Sequence, residues 1–198
     1  MIDIDKDLII ALIESTISIN SIKKLNNILK NFKYGYIKNN IPYEGKDLNK
    51  YKTINPKDFK KYKIGTCWDY TAYEYLYFKK HFSNLKIHTY FIQEDNSKDN
   101  PSHTWLSFEL NKKFYIFEAS WKSNSGIFKY NSEDKMIKDY AEKFIKNNKS
   151  NFNTSKFIVL EFDNPTRYGL SSRQYLKYIY NNSKVILNHG ISNWNKYY

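Results

Sequence analysis

Three residues of this 198-residue chain have types and spacing suited to nucleophilic chemistry: Cys67, His103 and Glu118. Cys67 is the single cysteine. A lone thiol forms no internal disulfide and is a poor start for a zinc site, so its setting decides what it can do. It lies in Gly65-Thr66-Cys67-Trp68-Asp69, where Thr66 and Asp69 have the S/T-x-x-D/E spacing of a helix-capping box. Cys67 is then the first residue of a helix expected to run to about Lys80, with Trp68, Ala72, Tyr75, Leu76 and Lys79 recurring at three- and four-residue steps. Unsatisfied N–H groups and the positive end of the helix dipole favour a thiolate there, below the free value of about 8.5. Free cysteines are otherwise buried and inert. What separates the two fates is a base within reach.

The segment that follows offers one. Residues 86–92 read as a strand of β-branched and aromatic residues, followed by a polar loop from Glu94 to Pro101. Ser102–Leu110 and Lys113–Ser120 then read as strands joined by the two-residue turn Asn111-Lys112. Such a turn pairs Leu110 with Lys113, so the numbers of facing residues sum to 223. His103 then faces Ser120 and Trp105 faces Glu118, all four on one side of the hairpin. His103 and Glu118 become diagonal neighbours, about 7–8 Å apart at the backbone. The other side carries the core-like set Leu106, Phe108, Leu110, Tyr115 and Phe117. A one-residue slip would send the His and the Glu to opposite faces. In the expected register, His103 can take the thiol proton and return it to a leaving group, while Glu118 fixes the ring and supports the imidazolium.

The series Gly65-Thr66-Cys67-Trp68-Asp69-Tyr70, His103-Thr104-Trp105 and Phe117-Glu118-Ala119-Ser120-Trp121 resembles the transglutaminase-like cysteine enzymes of the papain-type superfamily. Within it, the Cys-Trp-Asp box and the Glu-x-Ser-Trp ending resemble a bacterial branch. The separations of 36 and 15 residues suit that family, and the likeness extends from about Tyr34 to Leu170, including Pro165-Thr166-Arg167-Tyr168-Gly169. The resemblance implies a papain-like α+β core, Cys67 as nucleophile, His103 as general base and acid, and Glu118 as the orienting carboxylate. Most of the superfamily has Asp at the third position, so Glu is a departure. No upstream Gln marks the usual oxyanion donor, and Tyr36 is the aromatic residue taken for that role.

The length is that of one ordinary domain, 1–198, divided into an N-terminal helical segment 1–33, a core 34–170 and a C-terminal helix and tail 171–198. Residues 5–32 are expected to be helical, broken near Ser18–Asn20, with Ile22, Leu25, Ile28, Leu29 and Phe32 on one face. Residues 34–65 read as a tyrosine-rich, loop-rich wall. Asp134–Asn147 reads as an amphipathic helix, Lys156–Phe162 as a strand and Ser172–Asn181 as a helix. A nucleophile helix packed on an antiparallel sheet is an α+β layout.

The acidic Met1-Ile2-Asp3-Ile4-Asp5 and the short apolar run Leu8–Ile13 do not resemble a signal peptide or a membrane span, which sets the expectation of a cytoplasmic protein without a membrane segment. The net charge of +12 comes almost wholly from lysine, Arg167 and Arg173 being the two arginines. Arginine grips phosphates and bases bidentately, so this balance argues against specific nucleic-acid recognition. His81 and His88 have no acid partner at a suggestive spacing, and His189 lies in an Asn/Gly-rich tail. With no zinc spacing and no phosphate-cradling loop, no cofactor and no metal are expected. The expected activity is acyl transfer on amide bonds, as a peptidase, amidase or deamidase, with a peptide or protein substrate in an acidic context held along an open groove by Trp68, Trp105 and Trp121. The alternative is a catalytically silent module of the same fold that binds acidic protein, cell-wall or nucleic-acid partners.

Overall fold

The computed structural model describes residues 19–45, 50–96 and 100–193, so the expectations for residues 1–18 lie outside the described residues. Residues 19–29 form helix α1, which buries Ile22, Leu25 and Leu29 as the spacing requires. Ile28 is half exposed instead, and Asn26 takes the inward position. The stretch expected to be loop-rich carries regular structure. Strands β1 (Lys33–Lys38) and β2 (Ile41–Glu44) form a hairpin around Asn39 and Asn40, both at positive φ, which is the turn that two asparagines favour. Helix α2 (Pro56–Tyr62) starts where Asn55 caps the Asp58 amide and Pro56 occupies the first turn. Strand β3 (Ile64–Gly65) pairs in parallel with β1 and leads directly into α3 (Cys67–His81).

The fold is α+β. Its main sheet is antiparallel throughout, in the order β7-β6-β5-β4-β8-β9. The strands are β4 (Lys86–Asp95), β5 (Ser102–Leu110), β6 (Lys113–Glu118), β7 (Gly126–Tyr130), β8 (Lys156–Phe162) and β9 (Ser183–His189). Strand β4 runs three residues further than the sequence pattern suggests. Neither β7 nor β9 was anticipated: both follow short polar stretches and add edge strands. His189 is accordingly the last residue of a strand, its ring against the Ser155 carbonyl, and not part of an irregular tail. Residues 171–193 are thus not an appendage, since β9 extends the sheet and α5 (Ser172–Asn181) packs under it.

Helices cover both faces. On one, α1 and α3 bury Phe78, Leu106, Phe108 and Phe117, and α5 adds Tyr175 and Ile179 against Phe91, Leu160 and Phe162. On the other, α4 (Glu133–Asn147) buries Met136, Tyr140, Phe144 and Ile145 against Tyr90, Ile92, Trp105 and Val159. The buried face of α3 differs from the expected stripe: Thr71, Glu74 and Phe78 point inward, while Leu76 is exposed. No described helix is long and apolar enough to cross a membrane.

Candidate active site

The strand-to-helix turn that presents Cys67 is fixed from several sides. A Cβ on Gly65 would meet Asp69 and Phe59 at 2.8 Å, so this close approach requires glycine. Asp69 reaches back from the first turn of α3. Its Oδ2 accepts the Thr66 amide at 2.8 Å and the Thr66 hydroxyl at 3.1 Å. Its Oδ1 accepts the Tyr51 hydroxyl at 2.9 Å and the Ile54 amide at 2.8 Å. Burial raises the Asp69 carboxyl to about 6, against the opposing pull of these donors. The adjoining Thr53 is tied in turn to residues 169–170 through backbone hydrogen bonds of 2.8 Å, which carries the brace on to the start of α5.

The β5–β6 hairpin has the expected register. Leu110 faces Lys113 and Leu106 faces Phe117, and Asn111 and Lys112 both take positive φ. The ladder begins only at Leu106–Phe117, so the backbone around Thr104 is open on that side. Cys67 uses this opening. It belongs to the α3 layer, yet its thiol is influenced by the Thr104 backbone and by the His103 side chain, which comes from the α4 side of the sheet. His103 Nε2 lies 2.8 Å from Glu118 Oε2, leaving Nδ1 for the thiol. Glu118 is hydrogen-bonded to His103, and His103 in turn lowers the Cys67 thiol; all three side chains are buried.

Glu118 is surrounded by donors. Its Oε1 accepts the Ser120 amide and hydroxyl at 2.8 and 2.9 Å and the Trp121 amide at 2.8 Å; its Oε2 takes the Tyr140 hydroxyl as well as His103. Asn26 holds the Glu118 carbonyl at 2.7 Å. Burial opposes ionisation of this carboxyl, but the charge and hydrogen bond of His103, with the other donors, hold it below the usual carboxylate range. Burial also opposes charge on His103, and the Glu118 carboxylate and the Cys67 sulfur overcome it, raising the imidazole to about 10. For Cys67 the same contest ends with the thiol lowered: burial pushes it up, and His103 and Thr104 bring it down further. The electrostatics favour a thiolate–imidazolium pair.

Around the sulfur the structure departs from the expected tryptophan-lined groove. Trp68 stacks on Tyr175 at 4.5 Å in the core, and Trp105 lies between Tyr90 and Tyr140. Both are too buried to meet a substrate: Trp105 faces inward from a central strand, and Trp68 packs from the first turn of α3 into the core against Tyr51 and Tyr175. Trp121 is different: it lines a pocket of about 360 Å³ together with Tyr34, His103, Ser120, Phe144 and Asn147. Cys67, only 5 % exposed, sits behind Tyr34 and His103. Lys122 also borders the pocket, but its ammonium group is given to Leu29, Lys30 and Ala119 carbonyls and the Tyr70 hydroxyl.

Three groups at this site escaped the sequence reading. Tyr140 and Ser120, which complete the Glu118 shell, carry no local signal, although the Glu-x-Ser spacing is compatible with a hydroxyl folding back on the acid. The third is Tyr34, whose hydroxyl lies 3.9 Å from Cys67 Sγ. Tyr36, the residue taken for an oxyanion donor, stacks on Tyr43 and is buried in the same core cluster as Cys67. Tyr34 and Tyr36 lie two residues apart on β1 and so share a face of the strand, Tyr34 being the one whose hydroxyl contacts the sulfur.

His88 also differs from its sequence reading. The sheet gives it two acids, Glu161 at 2.5 Å from Nδ1 and Glu109 at 3.1 Å from Nε2. His88, Glu133 and Glu161 form the group among the described residues whose ligand atoms lie within 4.8 Å of one another, as a metal would need. The His88 ring nitrogens already face carboxylates and Glu133 takes the Tyr90 hydroxyl, so each member of the cluster has a polar partner within the protein. Compared with known proteins, the chain matches no protein-family model and no curated protein.

Proposed function

We propose that this protein is a cysteine-dependent acyl-transfer enzyme of the transglutaminase-like type, acting on amide bonds of a peptide or protein through Cys67, His103 and Glu118. The observation that carries the reading is the His103–Glu118 hydrogen bond beside Cys67, whose thiol is lowered in spite of its burial while the imidazole is raised to about 10. A buried, inert cysteine would have its thiol pushed up by the same desolvation.

In this reading the Cys67 thiolate attacks the carbonyl carbon, the S–C bond forms and the C=O π pair moves onto oxygen. Collapse restores the carbonyl and expels the amine, which takes its proton from the His103 imidazolium. His103, now neutral, removes a proton from water or an acceptor amine. That nucleophile adds to the thioester, and the thiolate leaves to restore the resting pair. Glu118 stays ionised and holds the ring throughout.

The test is alkylation of Cys67 by iodoacetamide across pH 5–10 in the wild type and His103→Ala. The wild type is expected to react at a nearly constant rate well below pH 8, and the variant to follow a free thiol. Identical free-thiol profiles would leave a structural cysteine.

A second reading, a binding module, has one observation in its favour. A groove of about 690 Å³ between α1 and α2 is lined by Lys23, Lys24, Lys60 and Lys63 with no acid among its lining residues. An acidic partner held there would bind equally well to Cys67→Ala.

A further inference from the structure

The acyl-transfer reading leaves one part of the machinery unassigned: the groups that would hold the oxyanion. The first turn of α3 supplies N–H groups with no intrahelical acceptor, beginning at Cys67. A second donor must come from another element, and the backbone dictates which. Strand β3 ends two residues before Cys67, and β1 pairs with it in parallel so that Tyr34 stands opposite Gly65. Neighbouring backbone fixes this placement. The Tyr34 carbonyl accepts the Gly45 amide at 3.1 Å, and a Cβ on Gly35 would come within 2.1 Å of the Tyr43 carbonyl oxygen. The Tyr34 side chain therefore reaches the start of α3. Its hydroxyl donates to Cys67 Sγ at 3.9 Å while its ring lines the pocket that His103 and Trp121 also border.

We propose that the Tyr34 hydroxyl is the second oxyanion donor, a catalytic residue that transfers its hydrogen bond from the Cys67 sulfur to the substrate carbonyl oxygen as the S–C bond forms. The proposal rests on the acyl-transfer reading of Cys67, His103 and Glu118. Its physical basis is where charge resides at each stage. In the resting pair the negative charge is on sulfur, and a hydroxyl at 3.9 Å makes a long, weak hydrogen bond to it. On attack, that charge moves to an oxygen two bonds away, and a small rotation of the phenol lets the same proton follow it. The new bond is short and charge-assisted, so the stabilisation is larger in the transition state than in the resting state. Burial and the neighbouring sulfur push the Tyr34 phenol well above its ordinary range, which keeps it a proton donor at every working pH.

The experiment compares two reactions of the same sulfur in the full-length protein. p-Nitrophenyl acetate acylates Cys67 through an oxyanion and requires no knowledge of the natural substrate. Iodoacetamide alkylates it by direct displacement at carbon, with no oxyanion at all. In Tyr34→Phe, single-turnover acylation is expected to fall by about 10²-fold, the loss typical of one missing oxyanion donor, while alkylation stays within about threefold. Tyr36→Phe is expected to change neither rate beyond about threefold. A melting temperature near that of the wild type checks that loss of one oxygen has left the fold intact.

An equal fall in both reactions would make Tyr34 a support for the thiolate alone and overturn the proposal, as would unchanged acylation. Failure of the underlying reading has a separate signature: the wild type and Cys67→Ala would release nitrophenol at the same rate.

Discussion

Two histidines of this chain lie against glutamates, and their rings are almost equally sheltered, with side-chain exposures of 10 % for His103 and 9 % for His88. Their acids are not alike. Glu118 is 2 % exposed, whereas Glu161 and Glu109, on either side of His88, are 26 % and 27 % exposed. The third neighbour differs as well. His103 has one nitrogen on Glu118 and a thiol as its other charged neighbour, while both nitrogens of His88 face carboxylates. A His–Glu contact is thus no signature of catalysis by itself. What distinguishes the His103 site is a dry, donor-saturated carboxylate on one side and a thiol on the other. At His88 the same pairing joins β4, β5 and β8 across the sheet surface.

The comparison is broken most directly by exchanging which histidine is removed. His103→Ala is expected to lower Cys67 acylation by p-nitrophenyl acetate by about 10²–10⁴-fold, the usual contribution of a positioned base. His88→Ala is expected to leave it within about threefold. A large loss from His88→Ala, in a protein whose melting curve remains cooperative, would erase the distinction. Glu118→Gln comes next, with an expected loss of about 10²-fold. The amide keeps an acceptor for the Ser120 and Trp121 amides but supplies no charge to the imidazolium. Glu161→Gln should have no such effect, and equal losses in the two would show that ring–acid contact of either kind suffices.

The pH dependence sharpens the contrast further. Cys67 is lowered and His103 raised to about 10, so the thiolate–imidazolium pair spans the window between them. Reactivity should fall on the acid side as the thiolate is protonated and change again near pH 10 as His103 loses its proton. Stability follows the same signs. A histidine raised above its unfolded value near 6.5 contributes fully below that value, and the contribution is lost as pH rises through about 10. Glu118 and Cys67, both depressed, contribute above their unfolded values and lose that contribution as pH falls. Glu118→Gln should bring the alkaline limb down from about 10. A limb that stays in place would mean that Glu118 is not what holds the proton on His103.

Much of this site was readable in the residues because its determinants are local. The turn Asn111-Lys112 sets a register, and the register sets which side chains share a face; the box Thr66–Asp69 starts a helix at Cys67. The rest depends on chain segments far apart in sequence. Nothing near Glu118 announces that Tyr140 will arrive from α4, and nothing near Cys67 announces Tyr34, which is placed by the parallel pairing of β1 with a two-residue strand. The fate of the tryptophans was equally hidden. An aromatic residue beside a nucleophile reads alike whether it faces the cleft or the core, and here Trp121 lines the pocket while Trp68 and Trp105 complete the interior. Strands β7 and β9 were missed because an edge strand tolerates polar residues, and Lys184, Val185 and His189 are indeed exposed.

The smallest expected effect on reactivity concerns a second buried acid, Glu74, two turns into α3 on the side that faces Glu118. Both carboxyls are 2 % exposed. Glu118 gathers five donor hydrogens, whereas Glu74 Oε1 has no partner among the described residues. Burial raises the Glu74 carboxyl well above its ordinary range, and the Glu118 charge adds to the effect, which favours a protonated Glu74 beside an ionised Glu118. Glu74→Gln then replaces one neutral group by another, and acylation and alkylation should both stay within about threefold of the wild type. The stability readout is the discriminating one. An acid whose folded value is raised weakens the native state as pH climbs above its unfolded value of about 4.3, because the unfolded chain releases a proton that the folded chain retains. Glu74→Gln removes that penalty, so its melting temperature relative to the wild type should rise as pH climbs above about 4.3. A difference that stays flat, or that reverses, would mean that Glu74 is ionised in the folded protein and shares with Glu118 the work of holding the His103 proton.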